Sequence, residues 1–103
     1  MKIEEFGGLL VSIAKLKFPD ANITITEKRK ITLEARIKVS ENIFIEAYYN
    51  TLSDKKSFAL IKDGQRIFGY DNYKFWHVHP WNSVKTHVPC DEPTIEKVFE
   101  EIK

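Results

Sequence analysis

Apolar residues recur at spacings of three and four through Ile3, Phe6, Leu10, Ile13 and Leu16, with Leu9 and Val11 widening the stripe. That period predicts an amphipathic helix, and Pro19, just past Phe18, predicts its end. Gly7 and Gly8 each cost such a helix about 1 kcal/mol relative to alanine, so packing on another element has to hold it. The period then changes to two, through Ile23 and Ile25, then Ile31, Leu33, Ala35, Ile37 and Val39, then Ile43, Ile45, Ala47 and Tyr49. Strands are expected there. Three-residue loops at Glu27-Lys28-Arg29 and Ser40-Glu41-Asn42 put all these residues on one face, with Ile37 opposite Ile45 and Ala35 opposite Ala47. The same register sets Arg36 against Glu46 and Lys38 against Phe44 on the other face.

Asp63-Gly64 is the strongest short hairpin signal in the chain and joins a fourth strand at 57–62 to a fifth at 65–70. A two-residue turn makes Leu60 face Ile67, while Ile61, Arg66, Phe68 and Tyr70 share the opposite side. Asp71-Asn72 reads as a turn, 75–80 as a short extended segment, and 94–103 as a closing helix with Ile95, Val98, Phe99 and Ile102 on one stripe behind Pro93. The expected architecture is α+β: one domain over residues 1–103, an antiparallel meander of five to six strands, and an N-terminal and a C-terminal helix on one face.

Composition adds limits. The chain has 103 residues, 43% of them apolar, and 16 Lys+Arg against 15 Asp+Glu, so the size and balance fit one small domain with no global attraction to nucleic acid or acidic membranes. No window approaches the roughly 18 apolar residues of a membrane span, and the acidic start does not read as a secretory signal. One cysteine asks for no oxidising compartment, so the expected location is cytoplasmic. Position refines the charge: residues 15–38 hold seven basic and three acidic side chains, and 91–103 five acidic and two basic. On the face away from the helices, Tyr48, Phe68 and Tyr70 are expected beside Arg36, Lys38 and Arg66. Rings for base stacking interleaved with cations for phosphates are what single-stranded RNA requires. The same residues also suit a plain half-buried sheet face or a homodimer interface.

All three histidines and the single cysteine fall between His77 and Cys90. In an extended segment His77 and His79 point to one side, and Trp76 and Val78 to the other. If the latter pair is buried, two imidazoles stand side by side and can act as general base and general acid on RNA, with Arg66 stabilising charge on the phosphate and no metal required. His77, His79, His87 and Cys90 also form a four-ligand set for zinc, although their spacing matches no common zinc pattern. A third reading makes the histidines loop and edge residues and Cys90 a small apolar one. Asp71, Asn72, Asp91 and Glu92 are the nearby groups able to orient an imidazole.

The run from Phe58 to Asn72 with Gly69-Tyr70-Asp71-Asn72, the following His77-x-His79, and the closing Glu92-Pro93-Thr94 helix resemble the TumE-type toxin family over about the C-terminal half. The resemblance implies a prokaryotic cytoplasmic toxin of a toxin–antitoxin module, a helix-turn-helix antitoxin as partner, and an RNA-directed, endoribonuclease-like activity. Tyr70, Asp71, Asn72, His77 and His79 are the positions matching the shared motif. Phe75-Trp76, Trp81 and the added 81–91 loop depart from the pattern.

Overall fold

The computed structural model describes residues 1–81, 83 and 85–102. It has a helix α1 (Ile3–Lys17), five long strands β1 (Asn22–Lys28), β2 (Thr32–Ser40), β3 (Ile43–Asn50), β4 (Lys55–Lys62) and β5 (Gln65–Asp71), two short ones β6 (His77–His79) and β7 (Val88–Pro89), and a closing helix α2 (Ile95–Ile102). The strands form one seven-stranded antiparallel sheet in sequence order, an uninterrupted meander. Both helices lie on one face, where Phe6, Leu10, Val98 and Phe99 join Ile37, Ile45, Phe58 and Phe68 in a single core. The expected α+β architecture is observed, with β7 as an additional edge strand. Lys103, expected to end α2, lies outside the described residues.

The buried stripe of α1 is Ile3, Phe6, Gly7, Leu10 and Ala14, rotated from the expected one, so Leu16 is 73% exposed. The small residues decide the rotation. A Cβ on Gly7 would stand 3.1 Å from Cδ1 of Leu33, so glycine lets the helix backbone lie close on β2. Phe6 then packs on Tyr49, with ring centroids 4.9 Å apart. At α2 the Thr94 hydroxyl accepts the Lys97 backbone N–H at 3.0 Å, the N-cap role that threonine favours.

The β2–β3 register is the expected one, with Ile37 opposite Ile45, Ala35 opposite Ala47, Arg36 opposite Glu46 and Lys38 opposite Phe44. Past an irregularity at Val39, however, Ser40 pairs with Ile43, so the turn is Glu41-Asn42 and not the three residues from Ser40. The first hairpin loop differs too: β1 and β2 join through Arg29-Lys30-Ile31, with Ile23 opposite Ile37 and Ile25 opposite Ala35. Arg29 and Lys30 take left-handed φ values of 54° and 58°. The shift spans an even number of residues, so the apolar face is unchanged.

A larger correction falls on β5. Asp63 and Gly64 both have positive φ, the conformation a two-residue hairpin turn needs. Ile61 then pairs with Arg66 as alternation requires, but Leu60 pairs with Phe68, so Ile67 is an inserted residue, a β-bulge. Beyond it every side chain changes face. Phe68 and Tyr70, expected on the open face, belong to the helix-covered core, and Gly69 and Asp71 take the open side. Gly69 is fixed by close approach, because a Cβ there would meet the Phe58 carbonyl oxygen at 2.5 Å.

Candidate functional site

The registers place two rows across the open face. One runs Arg36, Glu46, Ala59, Gly69, His79, and the next Glu34, Tyr48, Ser57, Asp71, His77. Arg36, Arg66, Tyr48, Glu34, Glu46 and Ser57 line a shallow groove with a volume of about 520 Å³. Arg36 stacks on Phe44, its guanidinium carbon 4.0 Å from the ring centre. Arg66 is exposed. Ser57 and Ala59, at the groove's border on β4, pair directly with Asp71 and Gly69, which pair in turn with His77 and His79, so β5 separates this border from the histidines.

His77 and His79 share the open side, and Trp76 and Val78 pack against the core, as strand parity predicts. The imidazoles are nevertheless covered, at 3% and 5% exposure. Asp71 lies between them. Nε2 of His79 donates to its Oδ2 at 2.9 Å, and Nε2 of His77 approaches Oδ1 at 3.0 Å. Nδ1 of His77 also donates to the Phe75 carbonyl at 3.0 Å. Burial pushes the Asp71 carboxyl up, but hydrogen bonds from His79 and the Tyr73 N–H, with the charges of the two imidazoles, hold it below the usual range.

His87 completes the cluster. It immediately precedes β7, which pairs with β6 through His77 opposite Pro89 and Val78 opposite Val88. Its ring lies parallel to His77 at 4.7 Å between centroids and edge-on to His79 at 4.6 Å. It is exposed, and one nitrogen from each of the three rings falls within 4.8 Å of the others. Trp81, stacked on Phe68 at 4.8 Å, anchors the start of the loop that brings His87 back, a loop whose residues 82 and 84 lie outside the described ones. No family model, curated protein or solved structure matches the chain.

The remaining residues singled out in the sequence sit elsewhere. Tyr70 is buried on the helix side and donates its hydroxyl to Glu101 of α2 at 2.6 Å. Burial, then that carboxylate, pushes its phenol above the ordinary range. Asn72 ties sheet elements together, accepting the Lys56 N–H at 2.9 Å and donating to the Asp54 carbonyl at 2.7 Å. Cys90 packs against the core, and its thiol is pushed up chiefly by burial. Thus the structure groups His77, His79, His87 and Asp71, and sets Arg66 on the same face. Of the four groups the sequence offers for orienting an imidazole, Asp71 is the one that contacts His77 and His79.

Proposed function

We propose that this chain acts on RNA, as the toxin of a toxin–antitoxin module of the TumE type, with the histidine cluster as its reactive centre. The observation that carries the reading is the placement of three imidazoles, two of them in contact with one carboxylate, on the same open sheet face as a groove bearing Arg36, Arg66 and Tyr48. Tyr48 offers a ring for a base, and the arginines offer donors for phosphate. At the cluster the 2′-hydroxyl loses its proton to a base and attacks the adjacent phosphorus. The bond to the 5′-oxygen breaks, that oxygen takes up a proton, and a 2′,3′-cyclic phosphate remains. His87 is the ring that reaches solvent and so the one a substrate meets first, while Asp71 fixes His77 and His79 beneath it as positioning residues.

Purified protein incubated with single-stranded RNA should yield fragments ending in a cyclic phosphate. His87→Ala should slow cleavage by about 100-fold or more and relieve growth arrest on expression. Intact RNA in reactions with and without added chelator and zinc would overturn the reading. The alternative, a non-catalytic interaction module that pairs as a homodimer through the open face, is favoured by the near-complete burial of His77 and His79. It gives intact RNA and a mass that rises with protein concentration.

A further inference from the structure

We propose that His77, His79 and His87 form a binding site for one divalent transition-metal ion of the zinc class, with Asp71 behind the ligands. The site follows from the sheet: two ligands stand two residues apart on β6, and the third, His87, immediately precedes β7, which pairs with β6. The ladder therefore fixes the backbones of His77 and His79 and brings His87 beside them. Their nitrogens fall within 4.8 Å of one another. Three nitrogens on a tetrahedral zinc ion, at bond lengths of about 2.0–2.1 Å, are about 3.3 Å apart, so small side-chain rotations close the set.

A further feature points to a metal. Asp71 accepts a hydrogen bond from Nε2 of His79 at 2.9 Å and stands 3.0 Å from Nε2 of His77, the carboxylate–histidine arrangement that orients metal-bound imidazoles and raises their basicity.

The ligand chemistry sets the ion. Imidazole nitrogens suit zinc, nickel, copper or iron, whereas magnesium and calcium take oxygen ligands. The sequence offers Cys90 as a fourth ligand, but that side chain packs against the core, so the site has three protein ligands and a fourth position on the solvent side of His87. Three histidines with an open position are a reactive zinc site rather than a closed structural one. The site rests on the geometry of the cluster and stands whether or not RNA is the substrate.

The test needs no RNA. Chelator-treated full-length protein, titrated with zinc and in parallel with cobalt as a spectroscopic substitute, should bind one equivalent per chain, with the cobalt absorption of nitrogen ligation. Asp71→Asn should weaken zinc binding by about 10- to 100-fold while keeping the stoichiometry. His87→Ala, an exposed position whose fold is checked by circular dichroism, should weaken it further. Cys90→Ser should leave it unchanged. Absence of saturable zinc or cobalt binding, or binding unaffected by His87→Ala, or lost in Cys90→Ser, would overturn the proposal.

Discussion

Asp71 carries more of the site than any other residue, because one carboxylate holds two buried imidazoles and the Tyr73 backbone N–H. Replacing it by asparagine leaves a buried ring nitrogen short of an acceptor, at a cost of about 1–3 kcal/mol near neutral pH. The pH dependence follows from the direction of its shift. A carboxyl held below its ordinary 3.8 in the folded chain contributes stability that is present above that value and is lost as pH falls through the folded-state pKa. Denaturant titrations of wild type and Asp71→Asn should therefore differ at pH 7 and converge at pH values below 3.8. A gap that widens on acidification would contradict the ion-pair geometry. The pairing of His77 with His79 was legible from their two-residue spacing. Their burial was not, because it depends on His87 and on the chain returning beside β6.

At the scale of elements, β5 decides the most. Its hairpin signal, Asp63-Gly64, correctly locates the turn, yet the bulge at Ile67 reverses the side on which every later residue of the strand projects. Phe68→Ala should consequently cost about 3–5 kcal/mol, as for a buried ring, and Arg66→Ala under about 0.5 kcal/mol. Equilibrium unfolding of the two variants distinguishes this register from unbroken alternation, in which both side chains are on the surface. The bulge also brings Asp71 onto the face that carries Arg66, so the candidate site exists because of it. Periodicity in β1 to β3 is legible because it is local. An inserted residue has no local signature, since Ile67 and Phe68 are equally apolar, and only the fit of Phe68 and Tyr70 into the core under α2 chooses between them.

For the whole molecule, the near balance of 16 basic and 15 acidic residues persists in the groove, where Arg36 and Arg66 stand with Glu34 and Glu46. If RNA lies there, its phosphates meet two cations. The logarithm of the binding constant should then fall with the logarithm of salt concentration at a slope of about −1 to −2, as expected for two phosphate contacts on a single strand. A slope near −5, measured by anisotropy across a salt series, would place the contact surface elsewhere. Among the described residues no helix is long and apolar enough to cross a membrane. Lys17 pairs with Glu100 and Lys56 with Glu92, linking α1 to α2 and β4 to the segment before α2, so the acidic closing segment is partly neutralised by basic residues earlier in the chain.

The sequence by itself determined the order of the two helices and the first six strands, the α+β class, the apolar face of β1 to β3, the Asp63-Gly64 turn and the shared side of His77 and His79. Each of these depends on spacing along the chain, which local sterics and alternation translate directly into structure. Tertiary structure alone decided the rotation of α1 about Gly7, the bulge at Ile67, the withdrawal of Tyr70 and Cys90 to the core side, and the meeting of His87 with His77 and His79 over Asp71. These outcomes depend on which side chains fit together when distant segments pack, and no spacing along the chain encodes that.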